Sequence, residues 1–141
     1  RPLMGNWIYG CDICQDVCPF NRFARPTVEP AFQPVDENAI APPLLDILSL
    51  DDVTFDERFA GSPIKLIKRR RLVRNACVAA GNWGDESAVP VLAKLLHDPE
   101  EIIRGHAAWA LRRIGGEQAS AATAKALKNE QDGQVRKEMA D

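Results

Sequence analysis

Three cysteines, Cys11, Cys14 and Cys18, fall within eight residues, and the last is followed by Pro19. The spacing is C-x2-C-x3-C-P. Thiolates are soft, anionic donors that suit iron and zinc, and a set of four commonly cages a 4Fe–4S cluster. A zinc site would call for two separated C-x2-C pairs, or for histidines at helical spacing. His97 and His106 lie far along the chain with no cysteine beside them. Four cysteines in 141 residues are also sparse for a disulfide scaffold. The pattern therefore favours iron–sulfur ligation over zinc, and zinc over a disulfide. Cys77 stands apart, in the small apolar run Val73-Arg74-Asn75-Ala76-Cys77-Val78-Ala79. It reads as packing, because free cysteine behaves as a small hydrophobe.

In two-cluster ferredoxins the run is C-x2-C-x2-C-x3-C-P, and its final cysteine ligates the other cluster. The present run is one cysteine short. If Cys18 crosses over, Cys11 and Cys14 serve one cluster and Cys18 serves another, and this chain completes neither cage. The segment is then expected to belong to a longer redox protein, in agreement with a first residue, Arg1, that is not methionine.

Apolar residues make up 45% of the sequence and charged residues 27%, with a net charge of −2, as in an ordinary globular protein. No apolar run reaches the roughly 20 residues that span a bilayer. Thiols without an export signal point to a cytoplasmic setting. The bulk charge does not announce a nucleic-acid binder; its distribution is uneven, as the basic stretch below shows.

Residues 1–25 carry the cysteine run. Pro26, Pro30, Pro34, Pro42 and Pro43 mark residues 26–43 as a linker, since proline lacks the backbone donor and fixes φ. From Leu44 to the end, residues 44–141, apolar residues recur at helical intervals. Leu44 to Leu50 predicts a short helix. Asp51-Asp52-Val53-Thr54 predicts a capped start to the next, with Phe55 and Phe59 on one face. Further on, Val73-Arg74, Ile103-Arg104 and Val135-Arg136 recur at steps of 30 and 32. Leu95 to Asp98 lines up with Ala126 to Asn129, and Gly84-Asp85 with Gly116-Glu117. Pro99 is expected in the first turn of a helix. A period of about 30 residues built from two helices predicts an all-α solenoid of HEAT-like repeats, with Arg74, Arg104 and Arg136 bracing neighbouring units. An irregular helical bundle is the competing architecture.

Between Lys65 and Arg74 lie six cations and no acid. Crowded like charges destabilise a helix, so such a cluster either spreads over a solvated face or receives an anion. Ser62 and Pro63 are expected to cap and open this helix, offering its free N–H groups to a phosphate. On one continuous helix Lys65, Lys68 and Arg69 share a face, and Arg70 and Arg74 lie on another. Phosphate docking and a merely solvated surface both remain open from these residues alone.

The run from Arg1 to Ala24, with Gly10-Cys11-Asp12-Ile13-Cys14 and Cys18-Pro19-Phe20-Asn21, resembles the second cluster segment of epoxyqueuosine reductases. Phe59-Ala60-Gly61-Ser62-Pro63-Ile64-Lys65, Arg69-Arg70-Arg71, Arg74-Asn75 and Gly81-Asn82 resemble that family's entry into its C-terminal HEAT-like domain. Phe20 departs from a frequent tryptophan. The resemblance implies reduction of epoxyqueuosine to queuosine at the tRNA wobble position, with two 4Fe–4S clusters feeding electrons to cobalamin. It implies that Cys11 and Cys14 hold the cluster nearer the corrinoid, with Gly10 and Asp12 as neighbours of it, and that Cys18 holds the farther one. It also implies that Gly61, Ser62, Lys65, Lys68, Arg69, Arg70 and Arg71 face the anticodon stem-loop. The family's cobalamin domain, its acidic proton donor and its first cysteine run have no counterpart here. The part in hand is thus expected to be a monomeric, non-catalytic portion that works with an upstream cobalamin domain of the same polypeptide. The competing functions are a ferredoxin-like electron carrier with a HEAT-like protein-interaction domain, and a helical scaffold with incidental cysteines.

Overall fold

The computed structural model of the protein describes residues 1–34 and 36–140. Val35, inside the expected linker, and Asp141, at the end of the expected repeat domain, lie outside the described residues. Among the described residues there are helices, turns and extended segments but no strand.

The described residues among the first forty form an arm of single turns. It contains a 3-10 turn at Pro2–Met4, α1 (Ile13–Asp16), 3-10 turns at Pro19–Phe23 and Pro30–Phe32, and α2 (Glu37–Ile40). Proline starts each of the three 3-10 turns, where its missing N–H costs no hydrogen bond. Nothing in α1 or in these 3-10 turns is buried, and Leu3, Phe20, Phe23 and Phe32 are largely exposed.

The core begins with α3 (Leu44–Leu48), which follows Pro43 and buries Ile47 and Leu48. The next helix, α4 (Asp52–Arg58), opens on a reciprocal cap. The Asp51 carboxylate accepts from the Thr54 N–H at 2.8 Å, and the Thr54 hydroxyl accepts from the Asp51 N–H at 3.0 Å. Phe55 and Phe59 meet with ring centroids 5.2 Å apart. Then come α5 (Lys68–Trp83), α6 (Val89–Leu95), α7 (Glu101–Ile114), α8 (Glu117–Leu127) and α9 (Gly133–Ala140).

These helices stack in two layers. In one, α5 packs on α7 and α7 on α9; in the other, α3 packs on α6 and α6 on α8. Each helix hides an apolar stripe that its own unit cannot cover, which is the logic of a solenoid. Val73, Ile103 and Val135, the apolar halves of the three recurring pairs, are all buried. The central helices α5 and α7 approach closely because their facing residues are small, including Ala76, Ala80, Gly81, Ala107 and Ala110. A Cβ on Gly81 would sit 2.6 Å from the Trp109 ring and 3.0 Å from the Ala110 Cα.

The turns between units are held by charge. Arg104 on α7 forks onto Glu130 at 2.6 and 2.9 Å, and also donates to the Asp98 and Pro99 carbonyls. Arg136 on α9 donates to the Leu127 and Glu130 carbonyls. The two arginines do brace successive turns, 32 residues apart, so Asp98 is matched by Glu130 rather than by Asn129. Pro99 precedes α7 instead of opening it, and its carbonyl is one of the groups Arg104 holds. Arg74 departs from the expectation. It joins no such brace, because α5 is preceded by no equivalent inter-repeat turn, and Arg69 takes that role with the Leu50 carbonyl and Asp98.

Candidate functional site

The cysteine loop is shaped by local chemistry. Gly10 has φ +63°, and Asp12 follows at φ +46° in the left-handed region that aspartate tolerates better than most residues. This reversal starts α1, where the Gln15 and Asp16 N–H groups both donate to the Asp12 carbonyl at 2.7 and 2.9 Å. Cys14 rides on that single turn, and Cys18 sits just before the turn that Pro19 opens. The Asn21 side-chain amide reaches back to the carbonyls of Gln15 and Asp16, tying the two turns together. Cys11 and Cys14 are exposed thiols, Cys18 is partly covered, and none is in a disulfide.

Among the described residues no three cysteine, histidine or carboxylate groups converge closely enough to hold a metal ion. The donor chemistry suits iron–sulfur ligation, while the arrangement makes no closed cage. Cys77 is fully buried, and burial pushes its thiol pKa well up, so it remains a protonated core residue.

Two asparagines on α5, spaced i, i+7 on one face, anchor the segment that leads into the loop. Asn75 donates to the Ile8 carbonyl at 2.7 Å, and Asn82 donates to the Gly5 carbonyl at 2.7 Å. Arg1 pairs with Glu138 at 2.6 Å and lies over the Trp109 ring at 5.4 Å. The arm is therefore seated on the solenoid just ahead of Cys11. Neither their spacing nor their neighbours in the sequence point to these tasks for Asn75, Asn82 and Asn21, because each partner carbonyl is set by the fold.

The basic stretch is rearranged relative to expectation. Gly61 has φ +74°, and the Ser62 hydroxyl accepts from the Ile64 N–H at 3.3 Å, but it caps a 3-10 turn, Pro63–Ile67. At Lys68 the backbone turns sharply, with φ +64° and ψ 156°, before α5 proceeds. The α-helix thus starts five residues later than Ser62–Pro63 implied, and Lys65, Lys68 and Arg69 do not share a helix face. Arg69 also leaves the surface. Its Nε donates to the Leu50 carbonyl at 2.7 Å, and its guanidinium forks onto Asp98. Burial works against the Arg69 charge, but Asp98 outweighs it and the pKa rises. Arg69 is thus buried and paired within the fold, and unlike the neighbouring cations it does not lie on the exposed basic edge.

Lys65, Lys68, Arg70 and Arg71 remain exposed. Lys65 reaches Asp56 at 3.4 Å and Arg70 reaches Glu100 at 3.7 Å, both solvent-exposed pairs of the kind that contribute little and yield readily. Among the described residues neither Lys68 nor Arg71 has an acid within ion-pair distance. A cleft of about 750 Å³ runs between the arm and this basic end, with Trp7, Tyr9, Arg58, Phe59 and Ser62 in its walls.

A family model of HEAT repeats matches residues 68–141, the stretch from α5 to the end. The chain belongs to the HEAT-repeat family. Its similarity to known proteins extends further, over the arm as well. Epoxyqueuosine reductase of Listeria monocytogenes is 38% identical over 140 residues, which cover 99% of this chain and 37% of that protein. The enzyme of the same name from Pseudomonas aeruginosa is 43% identical over 120 residues, covering 82% of this chain and 32% of its own length. A crystal structure of an epoxyqueuosine reductase with an epoxyqueuosine-modified tRNA stem loop superposes with a TM-score of 0.89, at 35% identity. It covers 99% of this chain and 37% of that one. The chain therefore spans about a third of the length of these three relatives, arm and solenoid together.

No helix among the described residues is long and apolar enough to cross a membrane.

Proposed function

We propose that this chain is the cluster-ligand and RNA-facing part of an epoxyqueuosine reductase, the C-terminal portion of a polypeptide that reduces epoxyqueuosine to queuosine in tRNA. The observation that carries the reading is the likeness, across arm and solenoid alike, to a reductase structure bound to a modified tRNA stem loop. In this reading Cys11 and Cys14 ligate one 4Fe–4S cluster and Cys18 a second, with the remaining ligands from upstream cysteines of the same polypeptide and the cobalamin held by its upstream domain. When bound, such clusters supply single electrons to the corrinoid. Gly10 and Asp12 line the approach to it. The chain's own contribution is positional. Asn75 and Asn82 seat the arm, Asn21 links the two cysteine turns, and Lys65, Lys68, Arg70 and Arg71, with Gly61 and Ser62, present a phosphate-binding edge. The complete protein is proposed to act in the cytoplasm as a monomer.

The division of the cysteines is tested on the complete protein, purified without oxygen, by counting iron, sulfide and cobalt and recording EPR spectra. Cys11→Ser and Cys14→Ser should each remove the same cluster signal, and Cys18→Ser should disturb the other. Identical spectra from all three variants would assign the thiols to a single cluster and overturn the division.

A further inference from the structure

The root of the arm touches three successive helices of one layer, α5, α7 and α9. Two of the contacts lie on α5, where Asn75 holds the Ile8 carbonyl and Asn82 the Gly5 carbonyl, each at 2.7 Å. Two points on one helix define an axis about which the segment could still turn. The third contact lies off that axis. The Arg1 guanidinium forks onto both carboxylate oxygens of Glu138 on α9, at 2.6 and 2.8 Å. It also rests over the Trp109 ring of α7, 5.4 Å from the centroid, and that ring is itself buried against Gly81 of α5. A planar fork on a carboxylate fixes direction as well as distance, and an indole face beneath the cation adds to it. Isolated surface ion pairs contribute little, but this one is bidentate, and its side chains are only 28% and 29% exposed. The Arg1 hydrogen bond holds the Glu138 carboxyl below its ordinary pKa, so the pair is charged at neutral pH.

We propose that Arg1 and Glu138 are positioning residues for the cysteine loop, a clamp through which α9 fixes the direction in which the arm presents Cys11 and Cys14. The role rests on the reading of these two thiols as cluster ligands, and it extends that reading to a helix that has no other part in it. Only Tyr9 and Gly10 separate the last anchor, Ile8, from Cys11, so a tilt of the root passes directly into the loop. Displacing a reacting group by about 1 Å can cost about a hundredfold in rate. The Arg1 charge is taken up by Glu138, so it is not offered to RNA. Removing Arg1 does not strand Glu138 either. Arg112 lies 3.8 Å from the same carboxylate and donates to the Glu138 carbonyl, so α9 stays docked on α7 when the clamp is opened.

The test uses the complete protein, purified without oxygen, and compares Arg1→Gln, Glu138→Gln and Arg1→Lys with the parent. Each Gln variant should slow a single turnover of an epoxyqueuosine-modified stem loop about tenfold. Iron content and the dissociation constant of the stem loop should stay at the parent values. Amide hydrogen exchange from Leu3 to Tyr9 should quicken in both Gln variants, since the root then opens more readily. Arg1→Lys keeps the charge but not the fork, and should recover part of each loss. Exchange and turnover both at parent values would overturn the clamp. Faster exchange with unchanged turnover would show that the pair holds the arm without positioning the thiols, and would overturn the role. So would a slower turnover that merely follows lost iron or weakened RNA binding. A parent that holds no iron would overturn the cluster-ligand reading and the role with it, an outcome seen before any variant is made.

Discussion

Single side chains decide how the turns of this molecule hold together, and Glu130 is the clearest case. Its carboxylate accepts two N–H bonds from Arg104 and further bonds from the Gln131 and Asp132 backbone. The Arg104 hydrogen bond, more than any other cause, holds its pKa down at about 2, below its ordinary value of 4.5. A carboxylate whose folded pKa is depressed favours folding most strongly above its unfolded pKa. That contribution is therefore complete above pH 4.5 and fades as the pH falls through about 2. Glu130→Gln should lower the melting temperature at neutral pH and flatten the acid limb of a plot of stability against pH. Parallel acid limbs for parent and variant would show that Glu130 is not the group responsible. At this scale the cysteine spacing, the Ser62 cap and the Asp51 cap could be read directly, because each is a local pattern. The fate of Arg69 could not. A run of four cations looks like one surface, and only Asp98, 29 residues away, reveals that one of them points inward.

Among the elements, α5 carries most of the consequences. It packs on α7 through small residues, seats the arm through Asn75 and Asn82, and presents Arg70 and Arg71 at its start. Gly81 is what allows α5 and α7 to meet, since a methyl group there would collide with both the Trp109 ring and the Ala110 backbone. The ring can shift but the backbone cannot do so freely, so Gly81→Ala should cost about 1–3 kcal/mol, as overpacking does. Chemical denaturation of the two proteins would measure it. A variant as stable as the parent would mean that the helices can separate without loss. The helical periods, the two short helices after the prolines and the repeat length of about 30 were legible, because buried apolar residues must recur at helical spacing to be covered by a neighbour. The break at Lys68 was not. The run Pro63 to Arg74 is compatible with one helix by composition, and the turn at φ +64° is imposed by the packing of Ile64 and Ile67 against the core on one side and Arg69 on the other.

As a whole the molecule joins an exposed arm to a solenoid whose order comes from stacked helices and braced turns. The arm leaves Ile13, Val17, Phe20 and Phe23 largely uncovered around the cysteines, while the solenoid buries most of its large apolar residues, Val53, Leu66 and Trp83 excepted. Stability and chemistry are thus separated. Among the described residues the cysteine loop is anchored at its entry, by the contacts of Arg1, Asn75 and Asn82 and the packing of Met4 and Ile8 on the core. The proposed role uses that arrangement: a stacked platform that carries the cysteine loop and the exposed cations Lys65, Lys68, Arg70 and Arg71. Its most direct test is to incubate the complete protein, anaerobic and with a chemical electron donor, with an epoxyqueuosine-modified stem loop, then weigh the released nucleoside by mass spectrometry. The account predicts a product one oxygen lighter, lost on Cys18→Ser although the variant still binds the stem loop. A parent protein that binds iron and RNA but leaves the nucleoside unchanged would contradict it.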